Sequence, residues 1–155
     1  MNTESPFVLY SEWLAKKYGE RIYRVPVNPG FPCPRDRTEG KGCIFCPRHG
    51  HAAVQNRDRS GLQEQVGKAI EFARRRYRAN GFLLYLQAYT PTNTQVETFR
   101  ALVETLLPLG RFHAIHIGTR PDCLPEPMVE YLAELTRHLE VCVELGVQSI
   151  HDQTL

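Results

Sequence analysis

The sequence predicts an α/β domain whose four βα units wind a parallel sheet, forming a barrel or part of one. Three observations carry that prediction. Four short strand-like runs alternate with amphipathic helical stretches. Each intervening stretch is long enough to return the chain for a parallel crossover. Each strand also divides into one apolar and one more polar face. Right-handed crossovers place such strands side by side in sequence order, which suits a barrel better than a doubly wound sheet.

A short amphipathic segment around Trp13 and Leu14 comes first, and Ile22 to Asn28 then reads as a strand rich in β-branched and aromatic residues. Pro26 within it suits an edge strand, because proline donates nothing to a ladder. A long loop, 29–59, follows with four prolines and three of the five cysteines. A loop of that length inside a compact domain usually has a function. Ser60 with Gln63 has the form of a capping box for a helix carrying Leu62, Val66, Ala69, Ile70, Ala73 and Tyr77 on one face, with Gly81 as its end. Phe82 to Tyr89 is the second strand. Thr94 with Glu97 opens a helix bearing Val96, Phe99, Leu102, Val103, Leu106 and Leu107, and Gly110 closes it. His113 to Gly118 is the third strand. Pro125 stands near the start of a helix with Met128, Val129, Leu132 and Leu135, and Glu140 to Val147 is the fourth strand.

Side chains alternate across a strand. In the fourth strand Val141, Val143, Leu145 and Val147 oppose Cys142, Glu144, Gly146 and Gln148. In the second, Phe82, Leu84, Leu86 and Ala88 oppose Leu83, Tyr85, Gln87 and Tyr89, and in the third Ile115 and Ile117 oppose His116 and Gly118. The apolar faces suit helices. The polar faces suit either a lumen that binds something polar or a solvated side of the sheet.

At 155 residues, 42% hydrophobic and 23% charged, the chain has the composition of one soluble globular domain with a buried core. Its net charge of +2 is too small to argue for nucleic acid, although Arg74, Arg75, Arg76 and Arg78 cluster. Met1-Asn2-Thr3-Glu4 has neither the basic nor the apolar region of a signal peptide, and no apolar run approaches the roughly 20 residues that span a bilayer. The expectation is a cytoplasmic protein without a membrane partner.

Nine residues separate Cys33 from Cys43, and two separate Cys43 from Cys46. Three thiolates after a strand can surround one metal centre, reduced cysteines in a loop being a metal pattern rather than a disulfide one. They leave one iron of a four-iron cluster without a protein ligand, the open position a substrate-binding cluster needs. Spacing alone equally allows zinc, with His49 or His51 as fourth ligand.

The run Cys33-Pro34-Arg35-Asp36-Arg37-Thr38 through Gly42-Cys43-Ile44-Phe45-Cys46 resembles the cluster loop of radical S-adenosylmethionine proteins of the YhcC/YtqA group. The resemblance continues in 85–92, 117–122 and 144–149, each at the C-terminal end of an expected strand, where barrel active sites lie. Arg37 stands where that group would have glycine, and the group's members are about twice as long. The resemblance therefore implies a radical-SAM core domain over 1–155, the N-terminal four βα units of a partial parallel (β/α)6 barrel truncated after the fourth strand, with 29–59 as its cluster-binding loop. A second polypeptide or C-terminal half would complete the barrel.

The resemblance further implies a [4Fe–4S] cluster on Cys33, Cys43 and Cys46 and S-adenosylmethionine as the second cofactor. One electron from a donor such as flavodoxin or ferredoxin would cleave S-adenosylmethionine to methionine and a 5′-deoxyadenosyl radical. Phe45 would lie near the adenine. Gln87, Tyr89 and Thr90 would lie by the methionine amine, and Asp122, Glu144 and Gln148 would contact ribose or carboxylate. Arg120 would pair a carboxylate, although Arg120 and Asp122 also read as a plain loop ion pair. Cys142 reads as a small core residue, Cys123 as a thiol at the mouth, and His116 as a satisfied interior histidine. The group resembles the catalytic subunit of the elongator complex, which implies tRNA wobble uridine as substrate. The alternative is a zinc- or cluster-binding module without catalysis.

Overall fold

A computed structural model describes residues 7–34, 43, 46, 54, 60–147, 149–151 and 153. Among them the elements run α1 (Tyr10–Tyr18), β1 (Ile22–Val27), α2 (Leu62–Tyr77), β2 (Gly81–Leu86), α3 (Val96–Leu106), β3 (Phe112–Thr119), α4 (Glu126–Leu135) and β4 (Glu140–Leu145). The four strands pair in parallel in the order β1-β2-β3-β4, the winding that the alternation of strands and helices predicts. No helix among the described residues is long and apolar enough to cross a membrane.

The helices cover one face. Val25, Val27, Phe82, Leu84, Leu86, Ile115 and Ile117 point into a core with Val66, Ala69, Ile70 and Ala73 of α2. Phe99, Leu102, Val103 and Leu106 of α3 complete it with Met128, Tyr131, Leu132 and Leu135 of α4. Each fully buried Leu, Phe or Met contributes about 1.5–3 kcal/mol of transfer free energy, so this face dominates stability. β2, flanked on both edges, is buried at every residue. Among the described residues, the opposite face is covered at the N-terminal ends of the strands, where Leu14 of α1 packs on Ile22, Leu83 and Ala114.

Several local expectations need correction. Neither expected capping box forms: the N-caps of α2 and α3 are Gly61 and Gln95, without side-chain caps. The Ser60 carbonyl accepts from Gln65 (Nε2 to O, 2.7 Å). Gly81 does not end α2. Arg78 does, in the left-handed region (φ 53°), and its amide donates back to the last turn. Gly81 instead opens β2 where space is short, since a Cβ there would stand 2.6 Å from His113 Nε2 and 2.7 Å from Ile22 Cδ1. On α4 Val129 is exposed and Tyr131 is buried, completing a face with spacing i, i+3, i+4 and i+7. β2 stops at Leu86 and β4 at Leu145, two or three residues short of the alternating pattern.

Candidate functional site

The C-terminal ends of the strands bring three loops together. After β1, the Asn28 side chain accepts the Gly30 amide (2.9 Å), and Gly30 takes a left-handed φ of 80° that favours glycine. This turn leads to Cys33, which is partly exposed. The loop after β2 reaches across to it, Asn93 Nδ2 donating to the Pro32 carbonyl at 2.9 Å. The loop after β3 joins them at Cys123, whose carbonyl accepts from Thr92 of the loop after β2. Cys46 N–H donates to the Cys43 carbonyl (3.1 Å), so these two cysteines share one turn. None of the three cysteines is in a disulfide. Phe45, Gln148, His49 and His51 lie outside the described residues.

The turn after β2 is strained. Gln87 N–H still donates to the Val27 carbonyl (3.1 Å), but Ala88 and Tyr89 follow at φ 114° and 55°. Non-glycine residues held there cost about 1–3 kcal/mol each and gather at ligand sites. Thr90 is 1% exposed, and its hydroxyl finds no hydrogen-bond partner among the described residues. A buried hydroxyl of that kind is costly unless a ligand or water completes it. Thr92, equally buried, is fully used: its hydroxyl donates to the Cys123 carbonyl (2.6 Å). Its one proton being spent, the 2.5 Å contact with Thr119 Oγ1 has Thr119 as donor.

Arg120 binds Asp122 through two parallel hydrogen bonds of 2.8 and 2.6 Å. The Asp122 hydrogen bond pushes the arginine up, and the same bond holds Asp122 below the usual carboxylate range. This is the loop ion pair that the sequence admits, and a carboxylate ligand would have to compete with Asp122 for Arg120. Burial, and then Asp122, push the Cys123 thiol up.

Below the mouth, the face away from the helices carries a polar network. The pairing of Tyr85 with His116 and of His116 with Cys142 sets these three in one row, with Arg24 and Glu144 on the same face. Glu144 is its hub: Oε1 accepts from Arg24 Nη2 (3.2 Å) and lies 3.4 Å from His116 Nδ1, while Oε2 accepts from Tyr85 (2.8 Å). The Arg24 guanidinium lies between the Tyr10 and Tyr85 rings, 4.7 and 4.5 Å from their centroids. Burial and the bond to Glu144 push Tyr85 up to about 12. Burial lowers His116 despite Glu144, so its imidazole is neutral at pH 7. Burial raises Cys142, with Glu144 and Glu140 adding to it.

His116 is thus the satisfied interior histidine expected. Glu144, expected at the cofactor, is engaged within the face. Cys142 is half-buried on this polar face rather than in the core. One ligand atom each of His116, Cys142 and Glu144 lies within 4.8 Å of the others, a spacing a metal ion would accept. The Arg24 cation already occupies the carboxylate, which disfavours a second cation. Sequence reading passed over Arg24. Its signal is the two-residue period of β1, which puts it on the face of Pro26, the register partner of Tyr85.

No family model matches the chain. It is similar to YtqA of Bacillus subtilis, with 34% identity over 99% of this chain and 48% of the relative. It is similar to YhcC of Escherichia coli, with 34% identity over 92% of this chain and 46% of the relative. MJ0486 of Methanocaldococcus jannaschii is 32% identical over 96% of this chain and 46% of its own length. The chain thus spans about half the length of the curated relatives it matches, whose names state no activity.

Proposed function

We propose that this chain is the N-terminal part of a radical S-adenosylmethionine enzyme, its four strands beginning a partial (β/α)6 barrel. The observation that carries the reading is the convergence at one sheet end. The residue before Cys33 is tied to the loop after β2 through Asn93, and the strained turn of that loop holds a buried Thr90 hydroxyl with no partner among the described residues. The donor set suits a [4Fe–4S] cluster: three cysteines outside any disulfide, two of them on one turn. Cys33, Cys43 and Cys46 would hold the cluster, which supplies the electron that cleaves S-adenosylmethionine. Thr90 would donate its hydroxyl to the cofactor, and Gln87 and Tyr89 would present the strained backbone to it. Arg120, held by Asp122, would keep a cation beside the anionic thiolates. The Arg24–Tyr85–His116–Glu144 face would line the chamber below.

Further strands would continue the sheet past β4. Leu145 and Val147 are 50% and 56% exposed at that edge, and the relatives are about twice as long. The substrate proposed is tRNA wobble uridine, on the resemblance and on the arginines of α2. A flavodoxin or ferredoxin would be the electron donor.

The test is 5′-deoxyadenosine formation after anaerobic reconstitution, with dithionite and S-adenosylmethionine. We expect cluster loading with weak or absent turnover from this chain alone, and turnover once the missing half is supplied as the matching part of a full-length relative. A cluster-loaded full-length relative that forms no 5′-deoxyadenosine would defeat the reading. Stoichiometric zinc in its place would favour the non-catalytic module.

A further inference from the structure

We propose that Gln65 is a positioning residue that clasps the neck of the cysteine segment and so sets where Cys33 stands. β1 is an edge strand: Val27 faces β2, its carbonyl accepting the Gln87 amide, so the next residue, Asn28, turns its peptide groups to the open side. No strand meets them there among the described residues. Gln65 of α2 does. Its Oε1 accepts the Asn28 amide at 2.8 Å, and its Nε2 donates to the Asn28 carbonyl at 3.2 Å. The side-chain amide thereby supplies the acceptor and donor that a neighbouring strand's peptide groups would supply.

The second Nε2 proton goes to the Ser60 carbonyl, 2.7 Å away. Asn28 and Ser60 flank segment 29–59, so one buried side chain, 3% exposed, ties its two ends together. The ends of this long segment are thus closed by contacts that use none of its cysteines, and the fold itself meets part of the ordering entropy. Asn93 makes the second tie, at Pro32, one residue before Cys33. Nothing smaller or differently charged does what Gln65 does. A glutamate would set carboxylate oxygens against two carbonyls, and an asparagine is one methylene too short.

The geometry of the clasp is independent of what the cysteines hold; only its benefit to a cluster rests on the function proposed above. The test compares Gln65→Glu, Gln65→Met and Asn93→Ala with the unaltered chain. Native-state alkylation of each cysteine is followed by mass spectrometry in metal-free protein. Cys142, on β4, reports any general loosening. We expect Cys33 to react at least about five-fold faster in both Gln65 variants and to a lesser degree in Asn93→Ala, with Cys142 unchanged. Asn93 is partly exposed, so its variant keeps the comparison alive if either Gln65 variant fails to fold. An unchanged Cys33 rate in the folded variants would overturn the proposal, as would acceleration of Cys33 and Cys142 alike.

A second arm measures iron release to a chelator after reconstitution, expected to be faster in the variants. If the unaltered chain takes up no cluster, the functional reading fails while the alkylation rates still decide the clasp.

Discussion

At the scale of single residues, Glu144 concentrates the interactions of the open face. It answers the Arg24 cation, the Tyr85 hydroxyl and the His116 ring at once. Glu144→Ala leaves a half-buried guanidinium without its counter-charge, and the expected loss is about 1–3 kcal/mol in urea unfolding. Glu144→Gln keeps an acceptor for Tyr85 and should cost less. Equal losses would mean that charge plays no part. His116 gives a pH signature. Its folded pKa lies below the unfolded value of about 6.5, so the unfolded chain takes up the proton first. Stability from the neutral ring is present above that pH and is lost as the pH falls below it. His116→Gln should therefore gain on the unaltered chain between pH 7 and 5.5, and parallel curves would refute the assignment. The three cysteines of 29–59 could be singled out in the sequence because they lie close together along the chain. Arg24 and Gln65 could not. Their roles depend on which backbone or side chain lies across from them, and no local spacing encodes that.

At the scale of elements, periodicity located the helices and strands but not their ends. The apolar pattern of β2 runs on through Ala88, while the backbone leaves the strand after Leu86 and turns to positive φ. Side-chain alternation does not register that turn. The helix starts differ as well, α2 and α3 being capped by Gly61 and Gln95, one residue after the Ser60 and Thr94 that the sequence pattern marks. Gly81 illustrates the same point, being required for close approach at a strand start rather than as a helix stop. Gly81→Ala forces a methyl group against His113 and Ile22, and should destabilise by about 1–3 kcal/mol in thermal or urea unfolding. A neutral result would show that those side chains move aside freely.

At the scale of the whole molecule, strand order and the apolar and polar faces follow from the sequence, because crossover length and handedness leave few alternatives. The three loops then meet at one end of the sheet as a consequence of parallel winding, tied by the Asn93–Pro32 and Thr92–Cys123 hydrogen bonds. What the linear sequence leaves open, iron–sulfur or zinc, is a question of metal chemistry. The most direct measurement is anaerobic reconstitution followed by metal analysis and absorbance, with Cys33→Ser, Cys43→Ser and Cys46→Ser in parallel. The account predicts about four irons per chain with a broad band near about 400 nm, lost in each variant but retained in Cys142→Ser. One zinc per chain with no such band, or a band indifferent to these three cysteines, would contradict it.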